Sequence, residues 1–438
     1  MITQTIIVAL LFGILALSRR SPGSALGVVI MSMMLWPEYL RFPLGLAEMS
    51  VPRILAVALL FQFMAKGHHR ELNFGKIDLI VLVIWIWTIL ATVIAGGAAA
   101  QITQMIGRGL DTVLMYFVAR IAVRSTVDVR GLCASLMIIA MAMSIVGVVE
   151  TMTSRSPYSS MTDYMVWTSE FDKDDEYRLD FLRAKGSTAT HIYFGMAMMV
   201  ILGMCMAIRG YFGKPFLYRI TVLAALLASL SSMSSGPWLG CIMVFIFYGF
   251  SRRVLWIRPA IYLILLAFAM MELLSNRHFY HLIDYIALDP ATAWYRTRLL
   301  EVAVSQWGDI GIFGVGSNWP HHWSALVDGR KHIDVVNHFL IVALYGGTPA
   351  LIMYITTHVS AVRSAARAWR VDQDEARRRW LFGLAATLIA LDFSSMSVGL
   401  FGPVLLLSHI LLGSLQSSAV AWRKPTGVPK KDGTVLVL

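Results

Sequence analysis

The chain has 438 residues, 57% hydrophobic and only 14% charged, with a mean hydropathy of +0.67. A soluble globular protein carries about 25% charged residues, so the composition excludes a soluble domain and indicates a polytopic membrane protein. The formal net charge of +11 invites nucleic acid, but the basic residues recur in short loops between apolar runs and form no single patch, which argues against that partner.

The opening stretch MITQTIIVALLFGILAL lacks a basic leader and a small-residue cleavage site, and reads as a retained first span. A span needs about 20 apolar residues. Apolar runs follow at 25–40, 52–65, 77–97, 108–122, 131–150, 191–208, 220–235, 237–250, 260–274, 337–359, 381–393 and 402–421. The expected fold is therefore an all-α polytopic membrane bundle of about 12–13 transmembrane helices. Pro37, Pro43 and Pro52 make the first third of that bundle the least regular, with a re-entrant or tilted segment possible there. Cys133, Cys205 and Cys241 all lie inside apolar runs and read as small core residues, outside any disulfide framework. The mid-span regions read as nearly free of charge and no two halves of the chain match, which argues against a transporter or flippase.

Alternating the loops puts most Lys and Arg on one side, whereas the short loops of the other side carry only Arg41, Arg53 and Arg108. By the positive-inside rule the first set is cytoplasmic, including the C-terminal tail at 422–438 and the basic connector at 361–380. The two long loops, 151–190 and 275–336, then face outward from a single membrane domain, into the periplasm of a bacterial inner membrane.

The first outer loop carries an acidic cluster, Asp172, Asp174, Asp175 and Glu176, interleaved with Lys173 and Arg178. That interleaving suits a solvated loop better than a cation site. Arg183, Lys185 and Gly186 sit just outside the span that begins near His191. An arginine there either holds a phosphate through paired N–H donors or serves as an interfacial anchor. A serine-rich turn, SLSSMSSGPWLG from Ser229 to Gly240, follows between two spans. Its Ser234, Ser235 and Gly236 either satisfy helix backbone or touch a polar headgroup.

The second outer loop is the richest in chemistry. Arg296 and Arg298 open TRLLEVAVSQW, whose pattern predicts an amphipathic helix on the membrane surface, ending at Gly308 and Asp309. Gly314 and Gly316 follow in a G-x-G that predicts a tight turn folding Asn318, Trp319, His321 and His322 back over the bundle. Trp294, Trp307, Trp319 and Trp323 either stack on sugar faces or anchor the interface. No zinc ligand set is present, so the outer histidines are read as acid–base groups and no metal is expected. Candidates for a general base are His338, His332 and Asp334.

Three blocks together resemble the O-antigen ligase and O-antigen polymerase superfamily. They are LRAKGSTATHIYFG (Leu182–Gly195), SSMSSGPWLG (Ser231–Gly240), and YRTRLLE…IFGVGSNW…DVVNHFLIVALYGGTPAL (Tyr295–Leu351). Arg183 and Gly186 match the first family element, Arg296 the second, and Asn337, Gly347 and Pro349 the third. Val336 stands where the family has a histidine, and His338 lies just beyond Asn337, a displacement of about 200° around a helix. The resemblance implies a fold similar to the C-type glycosyltransferases and a donor carried on undecaprenyl diphosphate. It implies a glycan or lipid acceptor, no cofactor, work within the lipid bilayer, and companionship with other polysaccharide-assembly proteins. It also implies that Arg183, Lys185, Gly186, Arg296, Arg298, Gly314, Gly316, Asn318, Trp319, His321, His322 and Asn337 bind substrate, with the base among His338, His332 and Asp334.

Overall fold

The computed structural model describes residues 2–44, 47–162, 176–250, 262–263, 266, 270, 290–316, 321–327 and 333–422. Apart from two short hairpins, β1–β2 (Arg41–Leu44 with Ala47–Ser50) and β3–β4 (Tyr177–Arg178 with Phe181–Leu182), the elements are helical. The first helices are α1 (Ile2–Leu17), α2 (Pro22–Leu35), α3 (Val51–Ala65), α4 (Lys76–Ile94), α5 (Ala99–Asp111), α6 (Val113–Ala122), α7 (Thr126–Thr153) and α8 (Ser159–Thr162). They are followed by α9 (His191–Ala207), α10 (Pro215–Ser231), α11 (Ser235–Phe250), α12 (Pro290–Ser305), α13 (Trp307–Ile310) and α14 (His321–Leu326). The chain closes on α15 (His338–Val371), α16 (Glu375–Ser395) and α17 (Gly402–Ala421). Among the described residues, 5 helices are long and apolar enough to cross a membrane: α4, α7, α9 with its 3-10 extension to Tyr211, α15 and α17.

Burial sorts these helices into layers. α9 and α17 are apolar on all sides and almost wholly buried, the pattern of a helix enclosed by others. Around them, α1, α4 and α7 expose Leu10, Leu11, Ile86, Leu90, Ile145 and Met152. Apolar side chains exposed in such numbers fit a lipid-facing surface. Small residues permit close crossings at the centre: an added Cβ on Gly203 would meet Thr387, and one on Gly383 would meet Ala207. Cys205 and Cys241 are buried, Cys133 is half-buried, and all three are free thiols.

Three expected elements come out differently. The run 108–122 is two helices that change direction at Thr112, between α5 and α6. The run 260–274 lies mostly outside the described residues. The run 337–359 is interrupted at Gly347, which adopts φ 72° and ψ −175° inside α15, with Pro349 two residues on. Residues 338 and 354 would stand about 24 Å apart on an uninterrupted helix, yet their rings approach to 5.5 Å. The break is therefore a sharp bend between two arms.

A bend in apolar surroundings frees backbone groups that must find partners. A helix does form after Arg296, as part of α12, but it begins at Pro290, has little amphipathic character, buries Leu299, Val302 and Ala303, and stops at Ser305, short of the expected Gly308. The chain then returns across the bend. Val315 N–H donates to Leu344 O at 2.7 Å, Thr348 N–H donates to Gly311 O at 3.0 Å, and Trp87 Nε1–H reaches Gly346 O at 2.7 Å. The two backbones are so close that a Cβ on Gly347 would fall 1.9 Å from Ile312 O, and one on Gly314 2.4 Å from Leu344 O. The G-x-G turn is thus a clasp on the broken helix.

The ionisable residues inside the bundle sit mainly at helix ends. Asp78 and Arg120 are buried and paired at 3.0 Å, and Asp78 also accepts from Tyr116 at 2.6 Å and caps Gly75 N–H at 2.7 Å. Asp78 lies in the first turn of α4 and Arg120 in the last turn of α6. Arg53 grips Asp111 through two bonds of 2.7 and 2.6 Å, and His358 Nδ1 lies 2.6 Å from Asp392 Oδ1. His358 alone of these stands well inside its helix, and each residue is neutralised by a partner far away in sequence.

Replacing Gly347 by Ala combines a left-handed backbone with a steric overlap, and should lower stability by at least about 1–3 kcal/mol. Gly308→Ala, where a Cβ meets nothing within 4 Å, should leave stability unchanged. Thermal unfolding of the two purified variants checks this, and equal midpoints would contradict the clasp.

Candidate functional site

The first two motif blocks meet. Arg183 NH1 pairs with Glu176 Oε2 at 2.5 Å, and its NH2 donates to Ser234 Oγ at 2.7 Å. Ala184 N–H donates to Ser231 O at 3.0 Å, and Arg178 NH1 to Met233 O at 3.0 Å. Ser229 Oγ reaches back to Gly195 O at 2.9 Å. Glu176, expected in a solvated acidic loop, is thus engaged by Arg183, with His191 Nε2 3.7 Å away on its other side. Asp172 and Asp174, like Asp175, lie outside the described residues.

The loop around Gly186 is tied to the bundle from beneath. Gly186 N–H donates to the buried Glu150 at 2.9 Å, Ser187 Oγ to Met34 O at 2.6 Å, and Glu38 N–H to Ser187 O at 3.1 Å. Nearby, Tyr158 Oη–H donates to Leu35 O at 3.0 Å. Burial, with Glu150 close by, pushes that phenol up to about 12, so it remains a donor at neutral pH. Lys185 is half-buried beside this network. Apart from Ser234, the serines of the turn satisfy helix backbone: Ser231 Oγ donates to Ala228 O and Ser232 Oγ to Ser229 O.

The third block joins through the connector between α16 and α17, residues 396–401. Asn337 Nδ2 donates to Met396 O at 2.8 Å, and Leu400 N–H donates to His338 Nδ1 at 3.2 Å. From the other direction, Ser394 Oγ at the end of α16 donates to Gly236 O at 3.3 Å, a Cβ on Gly236 would lie 3.0 Å from Val398, and the rings of Tyr193 and Phe401 lie 6.1 Å apart. One uncharged connector therefore touches all three blocks. Nothing in its sequence, MSVGLF, signals that position.

The remaining predicted residues are distributed as follows. Asn337 caps α15, its Oδ1 accepting from Leu340 N–H at 3.0 Å. Asp334 is exposed, on a segment pinned by Tyr295, whose hydroxyl bonds both Asp334 O and Asp334 N at 2.9 and 3.0 Å. That bond sets Asp334 beside the residue preceding Arg296, which is half-buried on α12. Arg298 turns to Leu326 O at 3.0 Å and Glu301 at 2.9 Å. Trp323 is buried and donates to Asp309 at 3.0 Å, so it is a packing residue, while Trp294 stands exposed. Gly314 and Gly316 shape the clasp, both at positive φ. Asn318, Trp319 and His332 lie outside the described residues, as do the side chains of His321 and His322 at the start of α14.

His338 faces inward. It is buried and lines a cavity of about 90 Å³ that also takes in Arg108, Tyr345, Tyr354, His358 and His409. His358 and His409 stand singly in the apolar runs ITTHVSA and LLSHILL, a signal available in the sequence that the focus on outer-loop histidines passed over. No protein-family model matches the chain, and no curated protein matches it in sequence.

Asn337→Ala removes the helix cap and the tie to Met396, and should cost about 1 kcal/mol of stability. Asn337→Ser, which keeps a capping oxygen, should recover part of it. Denaturant unfolding of both variants measures the difference, and an unaltered Ala variant would show that the cap is dispensable.

Proposed function

We propose that the chain is a membrane glycosyltransferase of the kind it resembles, polymerising or ligating undecaprenyl-diphosphate-linked oligosaccharide repeats at the periplasmic face, for exopolysaccharide or O-antigen assembly. The observation that carries this reading is the convergence of all three motif blocks on the connector at residues 396–401 and the adjoining Ser394, with the Arg183–Ser234 bond joining the first two. Arg183 and Arg296 are assigned to the diphosphate, whose charge two guanidiniums would balance. Glu176, now on Arg183, holds the place of that anion and would be displaced by it.

In the reaction, a base takes the proton of an acceptor hydroxyl, whose oxygen bonds to the anomeric carbon. The bond from that carbon to the lipid diphosphate breaks, and the diphosphate leaves with the electron pair. Of the described base candidates, Asp334 is exposed whereas His338 is enclosed by the bundle, which favours Asp334. Stabilisation of the leaving charge by a positioned donor is worth about 3 kcal/mol.

A second reading, a lipid or polysaccharide transporter, draws support from the ionisable residues within the bundle, above all His358 with Asp392. One experiment separates the two. Arg183→Ala and Arg296→Ala should each abolish long-chain polysaccharide at normal protein level, with lipid-linked repeats accumulating on the outer leaflet. Accumulation on the inner leaflet would favour transport, and normal chain length in both variants would overturn the glycosyltransferase reading.

A further inference from the structure

The crook of the broken helix encloses chemistry that the glycosyl-transfer reading does not use. The two arms of α15, together with α4, α5 and α17, line the 90 Å³ cavity. Its lining carries one guanidinium, Arg108, three imidazoles, His338, His358 and His409, and no carboxylate. The two nearby carboxylates are already committed. Asp111, one turn along from Arg108, is held bidentately by Arg53, and Asp392 is held by His358 at 2.6 Å. Among the described residues Arg108 has no ion-pair partner; its guanidinium lies 4.3 Å from the centroid of the Tyr345 ring. A half-buried cation in apolar surroundings, facing a cavity to which His338 can add an N–H, is suited to an anion.

One of the imidazoles is oriented for that role. His338 Nδ1 accepts from Leu400 N–H at 3.2 Å, so in the neutral ring the proton sits on Nε2, which is a donor without being charged. His358 commits Nδ1–H to Asp392, and His409 commits Nδ1–H to Leu405 O at 3.0 Å, so in the neutral rings the Nε2 of each is an acceptor and His338 is the one imidazole of the three that offers an N–H. Tyr354 lies between His338 and His358, its ring 5.5 Å from the first and 4.3 Å from the second. Broken helices in membrane proteins commonly frame ligand sites, because irregular backbone is tolerated where it borders a polar cavity.

We propose that this cavity is an oxyanion site inside the bundle, which takes a single phosphoryl group with Arg108 as its fixed cation and His338 Nε2–H as a donor. The group comes either from a free phosphate ion or from the headgroup of a phosphomonoester lipid. The site shares one residue with the glycosyl-transfer reading, the base candidate His338, and its fixed cation Arg108 has no part in that reading.

The test uses the full-length protein, with Trp85, which also lines the cavity, as a fluorescent reporter alongside thermal unfolding. Inorganic phosphate is titrated into detergent-solubilised protein, and phosphatidic acid is compared with phosphatidylcholine in nanodiscs. A rise in unfolding temperature and a saturable Trp85 signal with phosphate identify a free ion; the same response only with phosphatidic acid identifies a lipid headgroup. Arg108→Gln should weaken either response at least tenfold, and Arg108→Lys should restore part of it. Should Arg108→Gln fail to fold, Val342→Trp, which fills the cavity and leaves the cation in place, should abolish the response. Wild-type protein indifferent to both probes, or a folded Arg108→Gln or Val342→Trp protein that responds like wild type, overturns the proposal.

Discussion

A helix broken in the middle of an apolar bundle must find new partners for the backbone groups it frees, and the bend of α15 at Gly347 is organised around that requirement. Its carbonyls and amides are taken up by the segment at residues 311–315 and by Trp87. Because the exchange is backbone to backbone, it needs glycine on both sides, at Gly347 and at Gly314, where a Cβ would overlap the opposing main chain. The outer loop is thereby fastened to the bundle at one place. Its small core, built from Leu299, Val302, Trp323 and Val327, packs on the first arm of α15 through Leu340, Ile341 and Leu344.

The same bend dictates where polar chemistry can reside. It turns His338 away from the loop that the sequence associates it with and sets it opposite Tyr354 and His358. Several charges within the bundle are neutralised in pairs, Asp78 with Arg120, Arg53 with Asp111 and Asp392 with His358, while the buried carboxylates Glu150 and Asp128 accept from backbone N–H groups. Burying an unpaired charge is costly. Against that pattern of pairing, the position of Arg108 over an aromatic face stands out, because cation–π contact offsets only part of the lost hydration.

Much of this architecture was legible in the sequence because apolar runs of sufficient length report helices directly, as at α1, α3, α9 and α17. In the serine-rich turn at 229–240, Ser231 and Ser232 serve helix backbone, whereas Ser234 is taken by Arg183. The bend at Gly347 was visible only as a G-x-P turn, since nothing local says that a distant loop will satisfy the freed groups. G-x-G was read as a tight turn folding back over the bundle, but its partner, the backbone of the broken helix at Gly347, has no local signature. The buried ion pairs escaped notice for a different reason: their members are far apart in sequence, so each looked like an isolated polar residue or a loop charge. The connector at 396–401 meets the third block through main-chain atoms and the first two through apolar side chains, which no local motif reveals.

The account depends most on the two arms of α15 folding toward each other. On a straight helix, residues 339 and 354 would stand about 22 Å apart, whereas here the rings of Phe339 and Tyr354 lie 5.6 Å apart. Cysteines placed at these two positions, with Cys133, Cys205 and Cys241 replaced by serine, can be treated in native membranes with a bifunctional maleimide too short to bridge the straight-helix separation. The bent arms predict an efficient intramolecular cross-link, read by mass spectrometry of the digested protein. Two singly modified cysteines with no cross-link would contradict the bend and the cavity it encloses.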